Sequence, residues 1–164
     1  MQRTPQGIGC ASRGTRPGDE APSTGALFEA AATDPGASAA LPFRVLLVED
    51  SELLVQRIAE LLGDLPGIQL AGTAASESDA IARLEIQDID AVILDLQLHS
   101  GSGFGVLRAL SRRGAGPSVI VFTNFAIGAY RDSALALGAQ HFLDKSRDYD
   151  RLQAVLQELS AAAH

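Results

Sequence analysis

Apolar residues recur along this chain in two rhythms: short continuous runs, and longer stretches in which they return every three or four positions. The run FRVLLVE (43–49) predicts a strand buried on both faces, as parallel strands between helices are. Ser51 then opens a helix with Leu54, Ile58, Leu61 and Leu65 as its apolar stripe, and Pro66-Gly67 ends it. IQLAGTA (68–74) alternates partially and predicts a second strand. Ser76, with Asp79 three residues on, resembles a capping box and starts a helix running to Ile86. A third strand, AVILD (91–95), leads through the loop LQLHSGSG into a helix, FGVLRALSRR, that stops at Gly114. The strand SVIVFT (118–123) and the helix GAYRDSALAL, closed by Gly138, follow. The strand AQHFLD (139–144) and the helix DYDRLQAVLQELSAA (148–162) complete the series. That last helix carries Leu152, Val155, Leu156 and Leu159 on one face.

Five strand–helix pairs with no hairpin signal require parallel strands and right-handed crossovers, hence an α/β fold with helices on both faces of one sheet. The region before this series is different. Residues 1–42 are rich in Gly, Pro, Ala, Ser and Thr, with few bulky apolar residues, and predict a disordered N-terminal extension or a start placed too early. Arg3, Arg13 and Arg16 precede the first acid, Asp19, without the amphipathic pattern of a targeting peptide. GALFEAAA (25–32) allows a single helical turn. The domain itself is expected over 43–162.

Composition narrows the function classes. A net charge of −7 and the lack of any basic stripe argue against direct nucleic-acid binding. Cys10 is the sole cysteine, which excludes an internal disulfide and a cysteine-based zinc site. No apolar run is long enough to span a membrane, so a cytoplasmic protein is expected.

In a sheet of this kind ligands gather beyond the carboxyl ends of the strands. The first strand ends at Glu49 and Asp50, the third at Asp95, the fourth at Thr123, and the fifth runs into Asp144-Lys145. With the first and third strands adjacent, three carboxylates share one pocket. They repel one another by several kcal/mol at an effective dielectric of about 20. A hard dication relieves that repulsion, and Mg²⁺ is the usual choice where phosphate is the other partner. Lys145 and Thr123 offer a cation and a hydroxyl to phosphoryl oxygens. Each residue also has a plainer role. Glu49 and Asp50 could cap the next helix, Lys145 could be an ordinary surface lysine, and Phe142 could be simple core.

The ordered set VLLVED, VILDLQL, VFTN and HFLDKS resembles the receiver domain of two-component response regulators, over about residues 43–162. The resemblance implies a flavodoxin-like fold: a five-stranded parallel sheet in strand order 2-1-3-4-5. It implies Asp95 as the phosphoacceptor, Asp50 as a direct Mg²⁺ ligand, and Glu49 as its partner acid. The backbone carbonyl of Gln97 would be a further ligand to Mg²⁺. It implies Lys145 as the phosphate-pairing cation, Thr123 as the hydroxyl that moves toward phosphate, and Phe142 as the aromatic switch. A histidine kinase or histidine phosphotransfer protein would donate phosphate, and a downstream protein would read it. A homodimer formed on phosphorylation stays an open alternative. The expected protein is a stand-alone regulator, not an enzyme beyond assisting its own phosphorylation and dephosphorylation.

Three departures from the family pattern stand out. Ser146 follows the lysine where many receivers have proline, which leaves the loop either trans or strained. Asn124 is larger than the usual residue and could narrow access to the site. Phe142 lacks the hydroxyl of the more familiar tyrosine. Two further readings differ in where they need the acids. An Asp-nucleophile phosphatase of the haloacid dehalogenase type carries D-x-D on its first strand, whereas Asp95 lies on the third. Loss of Asp95, Asp50 or Lys145 would suggest a pseudo-receiver that binds partners without phosphorylation; all are present, and that reading stays the alternative. GSGFG (101–105) lacks dinucleotide-binding spacing and reads as a flexible loop, with His99 and His141 incidental.

Overall fold

A computed structural model describes residues 40–164. The expected turn in GALFEAAA lies outside the described residues. Strands β1 (Phe43–Val48), β2 (Ile68–Ala74), β3 (Ala91–Leu94), β4 (Ser118–Thr123) and β5 (His141–Asp144) alternate with helices α1 (Glu52–Gly63), α2 (Glu77–Ile86), α3 (Gly103–Arg113), α4 (Gly128–Ala136) and α5 (Tyr149–Ala162). The strands form one parallel sheet in the order β2-β1-β3-β4-β5. The α/β class is the one the sequence pattern predicts, and the strand order is the one the resemblance implies.

Alternation along the central strands feeds two apolar layers. Leu46, Val48, Val92, Leu94, Val119 and Val121 point to one face, where α2, α3 and α4 add Leu84, Val106, Leu107 and Ala134. Val45, Leu47, Ile93, Ile120 and Phe122 point to the other, where α1 and α5 add Ile58, Leu62, Leu152 and Leu156. Burial on both faces explains why these strands read as continuous apolar runs rather than alternating ones.

The predicted α1 stripe needs one correction. Leu62 is fully buried while Leu61 is only half-buried, and Leu65 packs into the core from beyond the helix end. Helix periodicity marks a face about 100° wide, so it cannot choose between adjacent positions near its border. The α2 start is as expected, with Ser76 Oγ accepting from the backbone N–H of Asp79 at 3.2 Å. Among the described residues no helix is long and apolar enough to cross a membrane.

Candidate functional site

Strand pairing decides which residues meet at the carboxyl edge. Val48 lies opposite Leu94, so Glu49 and Asp95 leave the sheet side by side. Their backbones stay tied to it: Asp95 N–H donates to Val48 O at 3.0 Å, and Glu49 N–H donates to Ala74 O at 2.9 Å. On the other side Thr123 lies opposite Asp144, and Lys145 N–H donates to Thr123 O at 3.1 Å. Residues nearly a hundred positions apart are thereby fixed in one pocket.

Lys145 reaches across this edge. Its Nζ donates to Glu49 Oε2 and to Asp95 Oδ2, both at 2.6 Å, and all three side chains are at most 8% exposed. Such charge-assisted bonds are about twice as strong as neutral ones. The remaining carboxylate oxygens take backbone donors, Ser51 N–H on Glu49 Oε1 at 3.0 Å and Gln97 N–H on Asp95 Oδ1 at 3.2 Å. Burial raises the pKa of the Glu49 carboxyl above its ordinary value, and the bonds from Lys145 and Ser51 only partly offset it. For Asp50, burial also pushes upward. Hydrogen bonds from the His99 side chain and backbone outweigh it and hold that carboxyl below its ordinary value.

Glu49, Asp50 and Asp95 each offer a carboxylate oxygen, and the three atoms lie within 4.8 Å of one another. Hard oxygen donors converging at this spacing fit a dication such as Mg²⁺. They open on a cleft of about 500 Å³ that Gln97, Asn124 and Lys145 also line. Thr123 does not line it. Its side chain is fully buried, and Oγ1 accepts from Phe125 N–H at 3.2 Å. Asn124 is the residue of that turn that faces the opening. Phe142 is buried in the apolar layer, with the Arg131 guanidinium 6.0 Å from its ring centre. Where many receivers have proline, Ser146 instead donates its N–H and hydroxyl to Asp144 Oδ1, at 2.8 and 2.6 Å. That pair of bonds lowers the Asp144 pKa and pins the turn after Lys145.

Two sequence readings are corrected here. His99 is not incidental: its backbone N–H donates to Asp50 Oδ2 at 2.7 Å, and its ring Nδ1 meets the same oxygen. Nor is GSGFG merely a flexible loop. Glu77, the first residue of α2, lays its carboxylate against it and accepts from Ser102 N–H at 2.8 Å. A Cβ at Gly105 would fall 2.0 Å from Glu77 Oε1, and one at Gly103 would fall 2.2 Å from the backbone oxygen of Asp95. The glycines make room for an acid from another helix and for the phosphoacceptor candidate's own backbone. Neither partner was signalled by local sequence, because both contacts are long-range. A glycine at every second position from 101 to 105 was the one available hint.

Comparison with known proteins agrees with this geometry. The family description "Response regulator receiver domain" matches residues 45–157. A protein-glutamate methylesterase/protein-glutamine glutaminase of Koribacter versatilis is 34% identical over 108 residues, covering 65% of this chain and 30% of that protein. The nitrate/nitrite response regulator protein NarP of Escherichia coli is 31% identical over 109 residues, covering 66% of this chain and 51% of that protein. The chain thus spans a third to a half of the length of these curated relatives. Among solved structures, the signal receiver domain of a putative Luxo repressor protein from Vibrio parahaemolyticus is similar, with a TM-score of 0.69 and 30% identity. That match covers 75% of this chain and 93% of the other. With the matched region spanning both sheet and pocket, the chain belongs to the response regulator receiver domain family.

Proposed function

We propose that this chain is a phosphorylatable switch of a two-component relay, and that Asp95 accepts the phosphoryl group. The observation that carries the reading is the Asp95 carboxylate at the mouth of a cleft, bridged to Lys145 and flanked by two further acids. One Asp95 oxygen attacks phosphorus as the bond from phosphorus to the donor's histidine nitrogen breaks, and the electron pair leaves with that nitrogen. Lys145 then exchanges part of its pairing with Asp95 for the new phosphoryl oxygens. When bound, Mg²⁺ supplies positive charge to the transferring group, and Asp50, Glu49, Asp95 and the Gln97 carbonyl are the groups to hold it.

Thr123 is the next contact. Its hydroxyl leaves the Phe125 N–H and turns toward phosphate, and Phe142 follows in the space vacated. The surface around α4 and β5 carries the change to a partner protein. The phosphodonor is a histidine kinase or a histidine phosphotransfer protein. We read the chain as a phosphoacceptor that assists its own turnover rather than as an enzyme acting on a separate substrate, and we place it in the cytoplasm. A domain over 43–162 with the preceding residues as an extension is part of the same proposal.

The test is labelling by a small acyl phosphate with and without Mg²⁺, read by intact mass, in wild type and Asp95→Asn. A Mg²⁺-dependent adduct that hydroxylamine removes, and that the variant lacks, supports the reading. No adduct from small donors or from histidine kinases would leave a binding module that works without phosphorylation.

A further inference from the structure

Lys145 is the sole lysine of the chain; every other permanently cationic side chain is an arginine. An ammonium is a compact charge on a flexible stem, so the backbone that carries it must be held if Nζ is to sit 2.6 Å from both Glu49 and Asp95. The sheet holds only one side of that backbone. Lys145 N–H donates to Thr123 O at 3.1 Å, but the pairing of β4 with β5 ends at Thr123 and Asp144. The other side is held by Asp144 and Ser146. Ser146 N–H and hydroxyl donate to Asp144 Oδ1 at 2.8 and 2.6 Å. The ring closed by the N–H bond runs through both backbone torsions of Lys145, so it fixes the direction in which the lysine side chain leaves the chain. Asp144 is itself tied down: its N–H donates to Asp148 Oδ2 at 2.9 Å, and its carbonyl accepts from Asp148 N–H at 2.8 Å. Ser146 is exposed, so core packing does not account for it. The turn depends on serine here, since a proline has neither N–H nor hydroxyl to give Asp144.

We propose that Ser146 and Asp144 are positioning residues for phosphoryl transfer, acting through Lys145; this rests on the reading of Asp95 as the phosphoacceptor. In the transfer an Asp95 oxygen bonds to phosphorus, the bond from phosphorus to the donor breaks, and the electron pair leaves with the donor. No proton passes to or from Lys145. What the lysine supplies is positive charge at a fixed place, aimed at oxygens that the transfer brings beside Asp95. Its Nζ moves from Asp95 Oδ2 to those oxygens while it keeps Glu49, and a pinned backbone confines that movement to the side chain. With the turn released, the ammonium samples positions outside the pocket, and fewer encounters with a donor find it in place.

A sole lysine gives the test a single-site probe, because lysine labelled with the heavy nitrogen isotope puts one ammonium in the NMR spectrum of the full chain. The parent, Ser146→Ala, Ser146→Thr and Asp144→Ala are compared without metal at slightly acidic pH, with urea midpoints to establish that each is folded. The expected result is a resolved Lys145 ammonium signal in the parent and in Ser146→Thr, which keeps both donors. The signal should weaken in Ser146→Ala and be lost to solvent exchange in Asp144→Ala. Asp95 labelling by a small acyl phosphate with Mg²⁺, read by intact mass, should slow about threefold in Ser146→Ala and about tenfold in Asp144→Ala. Ser146→Thr should label within about twofold of the parent. In a Lys145→Met background Ser146→Ala should slow labelling no further, because the residue it acts through is gone. Equal slowing with and without the lysine overturns the proposal, since the turn would then serve the fold alone. If the parent labels and every variant matches it in rate and signal, the inference fails and the phosphoacceptor reading stands. If the parent takes no label, both fail.

Discussion

Removing the Lys145 ammonium strands two buried acids. Glu49 and Asp95 each sit 2.6 Å from Nζ, and neither side chain is more than 8% exposed. In Lys145→Ala the cheapest escape at pH 7 is for one of them to take up a proton. A carboxyl with an ordinary value of 4.5 must be held neutral about 2.5 pH units above it, at about 1.36 kcal/mol per unit, a cost of about 3.4 kcal/mol. Breaking one side of a buried ion pair falls in the same range, roughly 3–5 kcal/mol. The variant should therefore lose about 3–4 kcal/mol without divalent metal, and remain folded because domains carry about 5–15 kcal/mol in total. Urea midpoints should fall by roughly 1–4 M, given slopes of about 1–3 kcal/mol per molar.

The pH dependence of this loss separates charge from packing. In the variant the stranded Glu49 carboxyl titrates above its unfolded value, so the folded state holds a proton that the unfolded state has released. Stability relative to wild type should then recover as pH falls from neutrality toward 4.5, the ordinary value for Glu49. Lys145→Met keeps the side chain's length and removes its charge, and it should lose nearly as much as alanine. Added Mg²⁺ should narrow the gap in both variants, since without the competing ammonium on Glu49 and Asp95 they bind the dication more tightly than wild type, and a ligand that binds only the folded state stabilises it. The assay is equilibrium urea unfolding across pH, with and without Mg²⁺. A loss confined to alanine, or one that does not change with pH, would show that Lys145 holds the pocket by packing and refute the electrostatic account.

Gly103→Ala should cost about 1–3 kcal/mol through overpacking, because its Cβ would lie 2.2 Å from the backbone oxygen of Asp95, which cannot swing aside as a side chain could. Urea midpoints read the loss, and a midpoint unchanged from wild type would rule out the close approach. Ser76→Ala should cost about 1 kcal/mol by removing the acceptor for Asp79 N–H, read as a lower thermal midpoint. Glu49 has a raised pKa, so its contribution is fully present below 4.5 and is lost as pH rises through the folded value. Metal-free Glu49→Gln should accordingly gain stability relative to wild type between pH 4.5 and neutrality, measured by urea midpoints; a constant difference would contradict this. Asp50 and Asp144 have lowered values and lose their contributions only as pH falls below 3.8, outside that window.

How much was legible in the sequence follows from the range of each interaction. The strands were readable because β1, β3 and β4 are buried on both faces, so their residues must be apolar whatever their partners are. The end of each strand was readable because Glu49, Asp95 and Lys145 interrupt or end apolar runs, and a buried charge needs a stated reason. Register then did the rest: pairing Val48 with Leu94 and Thr123 with Asp144 leaves those three side chains no other place to meet. His99 and Glu77 carry no such mark. Both are polar residues in or next to loops, where polarity is the default, and each acquires its role only from a partner 49 or 25 positions away. Their partners nonetheless left traces. Three glycines in GSGFG are expensive in entropy unless something needs the space, and an acid helix start packed against them is that something. A polar loop residue is therefore best tested by the small residues that could receive it rather than by its own neighbours in sequence.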